Sequence, residues 1–144
     1  MSKSFSLNEA QTLIPVLQAL LERARESALR ANRHEGKMQA LGQRILLSGG
    51  LHVDVPAAAR TRAERDKAIA ETRATISEIE AIGVHLRDLE VGVLELPSQL
   101  EGRPILLCWT LGEPEITGWR EIDDAPEVRH PFDARFGRDR DRLQ

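Results

Sequence analysis

The sequence predicts an α+β fold, with a long antiparallel helical hairpin over 7–82 followed by a small three- to four-stranded antiparallel β-meander over 83–122. Three observations carry this. An apolar stripe recurs at helical spacing from Leu7 to Ala31. A break at Ser48-Gly49-Gly50 is followed by a second helical stripe. After Gly83 the pattern switches to short runs of β-formers bounded by Gly and Pro.

Ser6-Leu7-Asn8-Glu9 has the form of a capping box, in which the Ser6 side chain and the Glu9 side chain each satisfy the other's backbone amide. Phe5, just before it, is placed to act as a hydrophobic staple. Leu7, Ala10, Ile14, Leu17, Leu21, Ala24, Ala28 and Ala31 then follow at heptad-like spacing, widened by Leu13 and Leu20. Pro15 removes one helical hydrogen bond and predicts a kink there. The pattern extends through Met38 and Ile45 despite Gly36 and Gly42, which predicts one long helix, or two collinear ones, over about 7–48.

Val55-Pro56 starts the returning helix, with proline in the first turn where a missing amide does no harm. Its stripe is Ile69, Thr72, Ile76 and Ile79, and Gly83 ends it. Counting outward from the glycine pair places residue 31 opposite about 69, and the Leu-rich segment 7–21 opposite 79–93. The helix start therefore packs on the chain that comes after the hairpin.

Three strands are expected: Val91 to Leu96, stopped by Pro97; Pro104 to Trp109, almost wholly apolar and central; and Glu115 to Glu121. Val84-His85-Leu86 supplies a short fourth. The linkers, from Ser98 to Arg103 and Leu111-Gly112-Glu113-Pro114, are of hairpin length. A single domain over 1–132 is expected. Residues 133–144, ending in the alternating charges of Arg138 to Arg142, are expected to form a disordered tail.

The chain has 144 residues and a net charge of −3. Aromatics are few, with three Phe, two Trp and no Tyr, so the core must be aliphatic. One cysteine, Cys108, excludes an internal disulfide and suits a reducing compartment. The first residues carry no apolar run, which predicts no signal peptide, and no stretch approaches the length of a membrane span. A cytoplasmic protein with no membrane association is the expectation. Residues 1–82 hold 12 basic and 10 acidic side chains, whereas 83–144 hold 8 and 13, so no basic face runs through the chain.

Four segments carry a family resemblance: Phe5 to Ala10, Gly83 to Pro97, Gly102 to Glu113, and Ile116 to Glu121, with Leu107-Cys108-Trp109 followed by Gly112-Glu113 the most specific part. Together they resemble an uncharacterised prokaryotic family, domain of unknown function 2203, over about Phe5 to Pro131. The resemblance implies no activity. The family pattern often has a His after the Trp of the last strand, where this chain has Arg120, and the region near Arg129 also departs from it.

Common signatures of nucleotide, zinc-protease, redox and hydrolase sites are absent. The polar set around the sheet is Arg87, Asp88, Glu90, Cys108, Glu113, Arg120 and His130. From it, Asp88, Cys108, Glu113 and His130 have the ligand types of a zinc or iron site. The simpler reading makes Arg87 and Asp88 turn residues, Cys108 a small core residue and Glu113 an exposed turn residue. Trp109 and Trp119, near Arg103 and Arg120, either form a ligand platform or fill the core, and core packing is the commoner outcome. A ligand site would thus draw on Arg87, Asp88, Trp109, Glu113, Trp119 and Arg120. As a nucleophile, Cys108 would need a base such as His85 or His130, but its apolar neighbours argue for an inert buried thiol.

Residues 30–62 hold Arg30, Arg33, Lys37, Arg44, Arg60 and Arg62 against Glu35 and Asp54. No aromatic is interleaved for base stacking, which weighs against nucleic acid. His34 and His52 are read as surface residues, and His52 with Asp54 does not make a site.

The leading functional reading is a non-enzymatic interaction protein. The Ala-lined stripe over 24–31 faces a polar return helix, a pairing that buries little, so a homodimer through the hairpins completes it. Its sheet then meets a protein or small-molecule partner that the sequence does not identify. The second reading is a small-molecule- or metal-binding protein, enzymatic activity being left open, with its site at the sheet edge. No cofactor is indicated.

Overall fold

A computed structural model describes residues 4–49 and 54–136 of the chain. The element order is α1 (Leu7–Ser48), α2 (Val55–Ile82), β1 (His85–Asp88), β2 (Val93–Leu100), β3 (Arg103–Thr110), β4 (Gly118–Glu121) and β5 (His130–Pro131). The chain divides into two compact units, one built from the chain up to Leu21 with Ile76 onward, the other from Glu22–Thr75.

The expected capping box is present: the Glu9 amide donates to Ser6 Oγ and the Ser6 amide to Glu9 Oε1, both at 3.1 Å. Helix α1 then runs unbroken to Ser48, through Pro15, Gly36 and Gly42. Asp54 caps α2, its carboxylate accepting from the Ala57 amide at 3.0 Å. Gly83, at φ 103°, closes α2. Its amide donates to Glu80 O, and the Val84 amide donates to Ile79 O, the paired bonds of a Schellman motif. Gly50, half of the expected turn, and His52 lie outside the described residues.

In the first unit, Leu7, Ala10, Ile14, Leu17 and Leu21 of α1 and Ile79 of α2 are buried together with Leu94, Leu96, Leu107 and Trp109 of the sheet. The stripe expected from the spacing is the core, and each fully buried leucine contributes about 1.5–3 kcal/mol. Gln11 adds a polar clamp: its side-chain amide accepts from Ile116 N at 2.9 Å and donates to Ile116 O at 3.1 Å.

The sheet is an antiparallel meander of five strands in the order β1-β2-β3-β4-β5, rather than three or four. The fourth, at 85–88, begins at His85 rather than Val84. The fifth falls in a segment without strand patterning: His130 pairs with Trp119 and Pro131 with Gly118. Strand β2 starts at Val93, not Val91, and passes through Pro97 to Leu100. Pro97 is tolerated because its carbonyl accepts from Phe5 N, on the side away from β3. A strand residue's N and O point to the same side, so the missing amide removes no β2–β3 bond. Strands β2 and β3 meet in a two-residue turn, Glu101 at φ 52° and Gly102 at φ 80°, whose two left-handed residues match the strand twist. Strand β4 begins at Gly118, because Glu115 to Thr117 belong to the connection held by Gln11. Phe136, in the segment read as tail, is 4% exposed with its ring 5.7 Å from Trp119. Residues 137–144 lie outside the described residues.

In the second unit, Ala24, Ala31 and Ala68 are buried at the seam of the two helices, with Ser27 and Thr75. The contacts are largely polar: Ser27 Oγ to Thr72 Oγ1 at 2.6 Å, Arg30 to Glu71 at 2.6 Å, and Arg65 to Glu35 at 2.9 Å. No described helix is long and apolar enough to cross a membrane.

Gly36 and Gly42 have nothing within 4 Å of where a Cβ would stand, and both are helical and exposed. Gly36→Ala and Gly42→Ala should each stabilise the protein by about 0.5–1 kcal/mol, through the lost entropy of the unfolded glycine. Thermal denaturation of both variants checks this, and a lowered Tm in both would contradict the continuous helix.

Candidate functional site

Alternation along the strands sorts the polar candidates onto two faces. Leu94 and Leu96 of β2 and Leu107 and Trp109 of β3 turn to the helices. Their neighbours turn the other way, and the register aligns them: His85, Glu95, Cys108, Gly118 and Pro131 form one row across all five strands. Pro97, Leu106 and Arg120 form the next. Residues 122–129 run over this outer face, and beneath them Glu95 is 1% exposed, Cys108 3% and Arg120 8%.

Glu95 is the centre of the site. Arg120 Nε donates to its Oε2 at 2.6 Å and Nη2 to its Oε1 at 3.1 Å, a two-pronged buried ion pair. Arg87 Nη1 lies 3.8 Å from Oε2. The remaining Arg120 nitrogen, Nη1, donates to the carbonyls of Glu121, Ile122 and Asp124. Arg87 Nη1 also donates to Pro126 O. The guanidinium of Arg120 is held more firmly protonated than usual by its bond to Glu95.

Cys108 stands directly opposite Glu95 and Gly118. Burial pushes its thiol pKa up, and the Glu95 carboxylate adds to that, against the opposing pull of Arg129, Arg120 and Arg87. The thiol therefore stays protonated at neutral pH, the wrong state for a nucleophile. The stem of Arg129 lies over Gly118, in the space a Cβ there would need.

A second polar knot joins the β3–β4 connection to residue 129. Glu113 accepts from Thr110 N at 2.7 Å, Thr117 Oγ1 at 3.0 Å and Arg129 Nη1 at 2.9 Å, while Arg129 Nη2 donates to Thr110 Oγ1 at 3.0 Å. Burial pushes the Glu113 carboxyl up, but these donors outweigh it and hold its pKa below the usual range.

Of the residues singled out from the sequence, Arg87, Arg120 and Cys108 converge on the outer face. Glu113 reaches it through Arg129. Asp88 caps the β1–β2 turn through Val91 N at 2.9 Å. Trp109 and Trp119 lie on the helix-facing side, buried, their indole nitrogens donating to Glu113 O and Pro131 O. His130 is at the sheet edge, bonded to Asp124 at 2.8 Å, its ring 4.8 Å from that of Trp119. The four metal-type residues Asp88, Cys108, Glu113 and His130 are thus dispersed, and among the described residues no group of three or more His, Cys, Asp or Glu is placed to hold a metal ion. Glu95 and Arg129 are the participants that sequence reasoning missed. The signal for Glu95 was a carboxylate inside an otherwise apolar strand, Val93-Leu94-Glu95-Leu96.

Removing one partner of a buried ion pair strands the other. Glu95→Ala should cost about 3–5 kcal/mol of stability, and the double replacement Glu95→Leu with Arg120→Met should recover most of it. Urea denaturation of the three proteins decides this, and an equal loss in the double variant would refute the account. Acidification acts on Glu113 and on Asp124, whose pKa is lowered by the Glu121 amide and then by His130. Both are depressed carboxyls, so their contribution is complete above their unfolded values of about 4 and is lost as pH falls through the folded ones. Stability should therefore drop below about pH 4, and Glu113→Gln should flatten that drop.

No curated protein and no solved structure matches the chain. A family model does, over residues 3–132, and the chain belongs to that family of uncharacterized conserved proteins, DUF2203.

Proposed function

We propose that the chain is a non-enzymatic interaction protein that forms a homodimer through its helical hairpin. The observation that carries this lies in the second unit. Beyond Ala31 on α1 and before Ala68 on α2, none of the described residues 32–49 and 54–67 is buried. An antiparallel helix pair with no fully buried residue along this part of its seam has little to hold it, because helical stability in proteins comes mainly from packing an apolar face. Apolar side chains are present there but face water: Leu46 is 82% exposed, Leu47 88% and Val55 65%. An open hollow of about 370 Å³ follows the seam beside Leu41, Ile45 and Ala58.

A second hairpin of the same sequence supplies the missing layer, giving a four-helix arrangement whose interior is built from these residues. The basic side chains Arg33, Lys37, Arg44, Arg60 and Arg62 then form its rim. Nucleic acid is a poorer occupant, since no aromatic stands among them. The single cysteine fits a cytoplasmic setting, and the protein's other partner is left open by this reading.

A second reading, a small-molecule-binding site at the sheet edge, has one observation in its favour. A hollow of about 480 Å³ is lined by Trp119, Asp124, His130, Phe132 and Arg135, with the Arg135 guanidinium 5.6 Å from the Trp119 ring centre. An adduct of constant mass on the native protein, lost in His130→Ala, would favour it over the first.

Native mass spectrometry should give twice the 16.1 kDa of one chain. Leu46→Glu with Leu47→Glu should return the protein to one chain without lowering its Tm under dissociating conditions, because both side chains are already in water in the single chain. A single-chain mass for the unaltered protein at tens of micromolar would overturn the proposal.

A further inference from the structure

Residues 122–129 cover the outer face of the sheet, yet they bury none of their own side chains. From 121 to 130 every residue is partly or fully exposed, and Ile122 is 54% exposed. The apolar effect, which fastens most cover segments, is therefore nearly absent. The segment is held instead by polar bonds, to three arginines and through the Asp124 carboxylate, which accepts from Glu121 N at 2.9 Å and bonds to His130 Nε2 at 2.8 Å. Arg120 grips the carbonyls of Ile122 and Asp124 from below. Arg87 reaches Pro126 O from β1. Arg129 ties the far end to Glu113 and Thr110.

The floor beneath is the opposite of an apolar core. Glu95 and Arg120 are full charges taken out of water, and Cys108 lies between Glu95 and Gly118. Burying such a pair carries a large desolvation cost that water would relieve on entering. Lifting the segment thus withdraws only the partly buried Val128 among its apolar side chains, rehydrates two charges, and exchanges arginine–carbonyl bonds for arginine–water bonds. Segments of this kind open at the low end of a protein's range of local free energies.

We infer that residues 122–129 are a lid that opens as a unit, independently of global unfolding, and gates access to the Glu95–Arg120 floor and the Cys108 thiol. Closed, the lid keeps the thiol dry. Open, it presents the guanidinium groups of Arg87 and Arg120 beside one carboxylate and one thiol.

Cys108 is the chain's sole cysteine, so thiol labelling of the full-length protein reads the lid directly. The expected result with an aromatic disulfide reagent is labelling in native buffer whose rate changes little with low urea. Two latch variants act from different sides. Arg129→Ala removes the stem over Gly118, and Arg87→Met frees Pro126 without touching the groups that lie over Cys108. Each should raise the labelling rate by roughly tenfold, the effect of one charge-assisted hydrogen bond, and lower the Tm by only a few degrees, as the same bond is also lost on unfolding. Losing a cation beside the thiol by itself slows thiolate chemistry, so acceleration has to come from access. Two results would overturn the lid. One is labelling with the full urea dependence of global unfolding in all three proteins. The other is acceleration in Arg129→Ala alone, which would mean that the stem is a static plug and the segment does not move.

Discussion

Two full charges are withdrawn from water between β2 and β4, and the desolvation of that pair dictates the arrangement around it. A carboxylate 1% exposed is tolerable only if each oxygen is bonded, and the fork of Arg120 does that with Nε and Nη2. The guanidinium then has one nitrogen left, which takes carbonyls from the end of β4 and the backbone after it. The path of residues 121–124 is therefore set by a side chain, not by a ladder of strand bonds. Lysine at position 120 would keep the charge and lose the fork. The outer face is thus organised around the guanidinium of Arg120.

The helices were legible because their signals are local. The Ser6–Glu9 box, the heptad spacing to Ala24 and the Gly83 stop each act within a few residues and appear where the spacing puts them, whereas Ser27 takes the buried place expected of Ala28. The sheet was less legible where tertiary context overrides propensity. Pro97 reads as a stop, but a proline facing a free edge is compatible with a strand, and only the position of Phe5 shows the edge to be free of a strand partner. Strand β5 has two residues, too few for any period, and is held by pairing with Trp119 and Gly118.

The site divides in the same way. Cys108, Arg87 and Arg120 were found because their residue types are chemically conspicuous. Glu95 was not, because a glutamate in a strand is ordinarily the solvated half of an alternating pattern. That face is here covered by a later segment, and coverage is a non-local fact. The tryptophans show the converse. Their size made them candidates, while their register, Trp109 opposite Leu94 and Trp119 opposite Leu107, puts both in the core.

The chain leaves the first unit after Leu21 and re-enters it at Ile76, so one compact body is interrupted by another. Gln11 and Ile116, which clamp one another, are 105 residues apart in sequence. Closing a loop of that span from a disordered chain is slow, because the entropy is lost before the contact repays it. The inserted helices shorten the search. Their pairing is nearly local, and it ends where Arg23 meets Thr75 at 3.4 Å, so once they zip, Leu21 and Ile76 are neighbours. Helical hairpins form on the fast end of folding timescales. A segment that buries only small side chains at its seam thus supplies the kinetic shortcut for the body it interrupts. On the ribosome that order is natural, since Glu22–Thr75 is synthesised before any strand of the sheet.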